Sequence, residues 1–197
     1  RLLERGYQVS VVDNLERGFH HNVLEGSVFH KLDLAETDKL AEVLEGQDAV
    51  IHFAAWTLVG ESMAQPEIYF GNNVGGSLSL LKAMLRAGVK KLVFSSSAAV
   101  YGIPKESPIV ESCPEAPVNP YGESKRMVEI MLRWFDQIHE LRSASLRYFN
   151  AAGADPQGRL GEEHDPETHL IPLLLRAVET GQPATIFGDD YPTPDGT

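Results

Sequence analysis

Lys91-Leu-Val-Phe94-Ser-Ser-Ser97 joins a short apolar run directly to three serines. Apolar residues without polar alternation fit a strand covered on both faces, as in a parallel sheet packed between helices. Upstream, Ala49-Val-Ile-His-Phe53 has the same character and reads as a strand buried on both faces. Between the two runs, after Pro66, Val74, Leu78, Leu81 and Leu85 recur at offsets of four, three and four, which predicts one apolar face of a long helix closed by Gly88. Strand, helix, strand in that order is a βαβ unit, so the sheet is expected to be parallel.

The pattern extends both ways. Before this unit, strands are expected over residues 8–12, stopping at Asp13, and over 27–30, leading to Asp33, with a helix over 37–44. After it come a Pro-rich loop over 103–119, a helix over 120–141 and a strand over 143–149. Beyond Asn150 the composition shifts to Gly, Pro, Asp, Glu and His, ahead of a short helix over 171–178 and a strand over 184–187. The reading is therefore an α/β, doubly wound domain over 1–150 and the start of a smaller ligand-capping region over 151–197. Arg1-Leu-Leu-Glu-Arg5-Gly6 reads as the end of a helix without its beginning, and Asp195-Gly196 as a turn leading onward. A piece of a longer chain is expected, without the first strand and the Gly-rich loop of such a fold.

The chain has 197 residues, 43% of them hydrophobic and 23% charged, enough for a sizeable core. A formal net charge of -11 disfavours nucleic acid and anionic membrane as partners, since both require clustered Lys and Arg. No stretch reaches the about 18 to 20 apolar residues that cross a bilayer. A single cysteine, Cys113, excludes an internal disulfide framework and suits the cytoplasm.

Open α/β sheets hold ligands at the carboxyl ends of their strands, so polar residues there are weighed first. Asp13 stands where a dinucleotide fold places a carboxylate that accepts from adenosine ribose hydroxyls and repels a 2′-phosphate, selecting NAD over NADP; a turn-forming Asp before Asn14 is the alternative. Tyr121-Gly-Glu-Ser-Lys125 sets a phenol and an ammonium four apart on one helix face. An ammonium beside a phenol stabilises the phenolate and would make Tyr121 a general base, although an isolated pair at this spacing can also be exposed and idle. Ser97, 24 residues earlier at a strand end, offers a hydroxyl to hold a substrate oxygen beside Tyr121.

These signals belong to a longer ordered series: His52-Phe-Ala-Ala55, Val59-Gly-Glu-Ser62, Asn72-Asn-Val74, Phe94-Ser-Ser-Ser-Ala98, Val100-Tyr-Gly102, Pro120-Tyr-Gly122, Ser124-Lys125, Leu146-Arg-Tyr-Phe-Asn150, Ile186-Phe-Gly188 and Asp190-Tyr-Pro192. The series resembles the UDP-galactose 4-epimerases, NAD-dependent sugar-nucleotide enzymes of the extended short-chain dehydrogenase/reductase type. The resemblance implies a Rossmann-type sheet, NAD as cofactor, a UDP-sugar as substrate, and interconversion of UDP-galactose and UDP-glucose through a 4-keto sugar. It further implies that Asp13 and Asn14 meet the adenosine ribose, Asp33 and Leu34 the adenine, and that Phe53, Ala54, Ala55 and Asn72 line the cofactor. Lys125 would hold the nicotinamide ribose and Phe149 would sit near the nicotinamide. Asn150, His169 and Leu170 would face the diphosphate, and Thr185, Ile186 and Phe187 the uracil. Thr57 and His169 depart from family members that carry Lys and Asn there. A 4,6-dehydratase is disfavoured, because Ala98-Ala99 stands where those enzymes carry an Asp-Glu pair; epimerases of other UDP-sugars and a non-catalytic NAD-binding protein remain as rivals.

A homodimer is expected, because Leu80, Met84, Met131 and Phe135 exceed what one core face needs. Trp56, Trp134 and Phe135 read as packing residues. No metal ligands are assigned: His20-His21 reads as a solvated pair, and His164 with His169 sits in an acidic loop broken by Pro166, short of the tight constellation a metal needs.

Overall fold

Strands and helices alternate in a computed structural model that describes residues 1–185, 188–191, 193, 194 and 196. The chain forms two compact units, Arg1–Ala151 and Ala152–Thr197. The first holds β1 (Ser10–Asp13), β2 (Val28–Lys31), α1 (Thr37–Leu44), β3 (Val50–His52), α2 (Val59–Ala64), α3 (Pro66–Tyr69), α4 (Gly76–Ala87), β4 (Lys91–Ser97), α5 (Pro120–His139) and β5 (Arg142–Tyr148). The second holds α6 (Leu170–Thr180). Of the strand expected over 184–187, Ile186 and Phe187 lie outside the described residues, and Ala184 and Thr185 are in no strand. Among the described residues no helix is long and apolar enough to cross a membrane.

Every strand pairing is parallel, but the sheet is in two parts, β1-β2 and β3-β4-β5. A doubly wound order places a strand between β1 and β3, and no described residue supplies it. The two parts share one core. Leu32, Leu40 and Leu44 join Leu80, Leu81, Met84, Leu92, Phe94, Val128 and Leu132 in a single cluster, with α1 packed on α4.

The expected long helix after Pro66 runs without interruption to Ala87, but not with α turns throughout. Wide π turns over Phe70–Gly75 separate α3 from α4. Gly71, Gly75 and Gly76 are weak helix formers, and Asn73 is held off the helix axis by bonds to the Trp56 backbone. β4, by contrast, runs further than its apolar residues and takes in all three serines, which pair with Leu146, Arg147 and Tyr148 of β5. Burial on both faces does not hold for β3: Ile51 is 46% exposed while His52 beside it is buried. Alternation along β4 likewise buries Leu92, Phe94 and Ser96 on the helix side and leaves Val93, Ser95 and Ser97 half-buried on the other.

Two further expectations are corrected. Leu80 and Met84 are buried within this chain's own core, and Met131 and Phe135 pack against it, so none of the four is surplus. Trp134 is not a packing residue, being 59% exposed.

The three serines of β4 each engage α5. The Ser95 carbonyl accepts from Lys125 Nζ at 2.9 Å, Ser96 Oγ donates to Glu129 Oε1 at 2.5 Å, and the Ser97 hydroxyl faces the Tyr121 phenol. Glu129, only 4% exposed, also accepts from Arg147 Nε at 3.0 Å and Nη2 at 2.6 Å; Arg147 in turn reaches Tyr101 Oη at 2.7 Å and Glu115. Burial alone would raise the Glu129 carboxyl, but the bonds from Arg147 and Ser96 outweigh it and hold the group below its ordinary value. Removing one member of such a buried pair strands the other, a loss of about 3 kcal/mol or more. Glu129→Ala is therefore expected to lower the unfolding free energy by about 3 kcal/mol in urea titrations, with Glu129→Gln costing less because it keeps the Ser96 bond. A loss under about 0.5 kcal/mol for Glu129→Ala, the scale of an ordinary surface substitution, would show that the network does not hold α5 to the sheet.

Candidate active site

Tyr121 reaches the end of β4 because the start of α5 is closely specified. Asn119 caps the helix by accepting from Gly122 N at 2.8 Å, and Pro120 occupies the first turn, where its missing N–H costs nothing. Gly122 lets the helix approach the turn after β4: a Cβ there would lie 2.6 Å from the Ala99 carbonyl oxygen. The Ser97 side chain caps that turn, accepting from Ala99 N at 3.1 Å, which fixes its hydroxyl beside the phenol.

Burial weighs on both members of the Tyr121 and Lys125 pair. Burial pushes the Tyr121 phenol above its ordinary value, and the Ser97 hydroxyl opposes that rise. Lys125 lies one turn further along α5. It is 3% exposed, its Nζ donates to the Ser95 carbonyl, and it lies 5.1 Å from the Phe94 ring centre and 5.8 Å from that of Tyr121. Burial pulls its own pKa down to about 8. His52, on the helix side of β3, is pushed down to about 3 by burial and then by the Lys125 charge, so it is a neutral partner for Ser77 Oγ at 2.9 Å.

Asp13, Asn14 and Asp33 come together at the ends of β1 and β2. Asn14 Nδ2 donates to Asp33 Oδ2 at 2.8 Å, and Asp13 Oδ1 accepts from Leu15 N at 2.7 Å, so the turn-shaping reading of Asp13 is correct as far as one oxygen goes. Gly18 lies against the other: a Cβ there would be 2.6 Å from Asp13 Oδ2. Leu34 packs beside Gly76. Phe53, Ala54 and Ala55 follow β3, and Phe149 and Asn150 follow β5, with both phenylalanines exposed. In the second unit His169 precedes α6, Leu170 opens it, and Thr185 is exposed. Ile186 and Phe187 fall outside the described residues.

Several site-shaping residues carried no assignment from sequence. Asn73, not Asn72, is the hub: its Oδ1 accepts from Trp56 N at 2.9 Å and from Asn72 Nδ2 at 3.0 Å, and its Nδ2 donates to Trp56 O and Ser124 Oγ, each at 3.0 Å. It thereby ties the loop after β3 to the start of α5. Trp56 is more than packing, since the Arg17 guanidinium stacks 4.6 Å over its ring while donating to Glu61 at 2.8 Å. The Asn72-Asn73 pair inside a helix-period stretch was the available signal, because two poor helix formers there need a tertiary reason.

Known proteins match this arrangement throughout. The NAD dependent epimerase/dehydratase family matches residues 1–195. The UDP-glucose 4-epimerase of Streptococcus mutans is 49% identical over all of this chain and 61% of its own length, and that of Halalkalibacterium halodurans 51% identical over 59% of its own length. A crystal structure of UDP-glucose 4-epimerase from Brucella ovis in complex with NAD superposes with a TM-score of 0.93 at 45% identity, covering 98% of this chain and 60% of that one. This chain thus spans about three-fifths of the length of the relatives it matches. With a family match over residues 1–195 and a backbone that superposes this closely, the chain belongs to the NAD dependent epimerase/dehydratase family.

Proposed function

We propose that this chain is part of a UDP-glucose 4-epimerase that holds NAD and interconverts UDP-galactose and UDP-glucose. The observation that carries the reading is Tyr121, its phenol facing the Ser97 hydroxyl, one turn from buried Lys125 at the carboxyl end of β4. The donor set suits a dinucleotide: Asp13, Asn14 and Asp33 form one polar corner fit for adenosine hydroxyls and base, and Phe53, Ala54, Ala55 and Phe149 offer apolar edges at the ends of β3 and β5, the strands that flank β4. Asn72 and Lys125 complete the cofactor contacts, Lys125 toward the nicotinamide ribose. Bound NAD would supply a reversible acceptor for the hydride at C4 of the sugar. Relatives solved with NAD, and one from Bifidobacterium longum with NAD+ and UDP, support this choice. The lone Cys113 is in keeping with a cytoplasmic enzyme.

Ser97 orients the sugar 4-hydroxyl, and Tyr121 as phenolate takes its proton. The 4-keto sugar turns while Asn150, His169 and Leu170 keep the diphosphate, and Thr185, Ile186 and Phe187 keep the uracil. Tyr121 then returns the proton, leaving C4 inverted with no net redox change. Tyr121→Phe in the complete protein is expected to slow epimerisation by about 10²- to 10⁴-fold with UDP affinity unchanged. Since the base must be ionised, rate climbs as pH rises through the Tyr121 pKa. Ser97 draws that pKa down, so Ser97→Ala should move the acidic limb to higher pH. Near-full turnover in Tyr121→Phe would end the assignment of the base, and an unmoved limb in Ser97→Ala the role of the hydroxyl.

Cofactor choice follows from Asp13, whose carboxylate would repel a 2′-phosphate. NAD is expected to outcompete NADP in titrations of the complete protein, and Asp13→Asn to narrow the gap; equal binding by the parent would remove Asp13 from this role.

The reading includes a homodimer, now on different residues. Met127, Trp134 and Ile138 recur along α5 at offsets of seven and four, and Ile138 is 66% exposed, with Met127 and Trp134 also open. Trp134→Glu with Ile138→Glu should give a monomer in light scattering where the parent gives a dimer. A monomeric parent at micromolar concentration would discard the proposal.

A further inference from the structure

Glu162, His164, Glu167 and His169 lie in one short loop ahead of α6, and each presents a donor atom within 4.8 Å of all the others. We propose that these four side chains bind a divalent transition-metal ion of the zinc class, pinning the loop that leads into α6. The four groups come together because the loop folds back on itself, bringing the His164 and His169 rings to 4.5 Å between centroids at a tilt of 48°.

The donor chemistry selects the ion. Two imidazoles and two carboxylates suit zinc, whereas calcium and magnesium are held by oxygen alone. Metal bonds of about 2.0–2.2 Å set tetrahedral ligands about 3.3–3.6 Å apart. His169 Nδ1 already stands 2.9 Å from Glu162 Oε1 and 2.8 Å from Glu167 Oε1, and His164 Nδ1 stands 3.7 Å from Glu162 Oε1. Rotations of partly exposed side chains are enough to close the set.

Charge points the same way. Two carboxylates converge on one ring nitrogen, which carries a single proton at most and offers at most one positive charge. Residues 162–169 contain Glu162, Glu163, Asp165 and Glu167 and neither Lys nor Arg. A divalent ion balances the two carboxylates without requiring that His164 and His169 both be protonated. Glu167 is also held as ligating carboxylates commonly are: its side chain is 5% exposed, and Oε1 accepts from the backbone N–H of Thr168 and of His169, each at 2.8 Å. Four protein ligands leave no open position, so the ion is structural.

The site shares His169 with the proposed diphosphate contacts, and its test reads metal binding directly and needs no turnover. Tag-free complete protein, stripped with a chelator, is titrated with cobalt(II), whose visible bands report tetrahedral coordination. One equivalent per chain is expected, displaced by zinc but not by excess magnesium or calcium. His164→Ala and Glu162→Gln should each weaken zinc binding by about tenfold or more, with far-UV circular dichroism unchanged, while His20→Ala leaves it as it was. Absence of a tetrahedral cobalt spectrum would overturn the proposal, as would unaltered zinc binding in His164→Ala and Glu162→Gln. Loss of epimerase activity with zinc binding intact would count against the enzymatic reading alone.

Discussion

The buried carboxylate of Glu129, shared between Ser96 and Arg147, sets where α5 lies against β4. Glu129 is one turn beyond Lys125 and two beyond Tyr121, so a rotation of the helix that breaks the Ser96 bond would also take Lys125 from the Ser95 carbonyl and Tyr121 from Ser97. Three adjacent strand residues thus meet three helix residues spaced four apart, and the site is as rigid as the weakest of these contacts. A charge in this position is retained at a cost in desolvation, which Arg147 offsets through its bonds to Glu129, Glu115 and Tyr101.

The same burial sets the chemistry. Taking Lys125 out of water lowers its pKa to about 8, and taking Tyr121 out of water raises the phenol, so burial favours the neutral form of both. His52, neutral for the same reason, adds no positive charge against Lys125. The hydroxyl of Ser97 therefore matters more than its size suggests, because it opposes desolvation at the phenol itself. Asn73 acts at one remove, coupling the Trp56 loop to Ser124 between the two residues of the Tyr-Lys pair.

In the second unit the order comes from local contacts. His169 bonds Glu167 and Glu162, and Asp155 pairs with Arg159, all within a few residues of one another. An ion at the first of these clusters would add cross-links to a loop whose ordering otherwise rests on exposed polar groups, which contribute little singly.

Strand and helix order, the parallel sense, the close of β1 at Asp13 and the Tyr121, Lys125 and Ser97 set were legible in the chain because each is written in local periodicity, strand-end polarity or helix spacing. α1 was read to its ends, since its apolar stripe and its boundaries are both local. What could not be read depended on groups far apart in sequence. Whether Leu80 and Met84 face a partner or their own core is decided by α1 and the sheet; the π turns before α4 go with Asn73 reaching Trp56 and Ser124, and the upward push on the Tyr121 phenol with its burial. Periodicity records which residues are apolar and how they are spaced, but desolvation and long-range hydrogen bonds exist only once the chain has closed around them, and those two effects determine where the protons of this site reside.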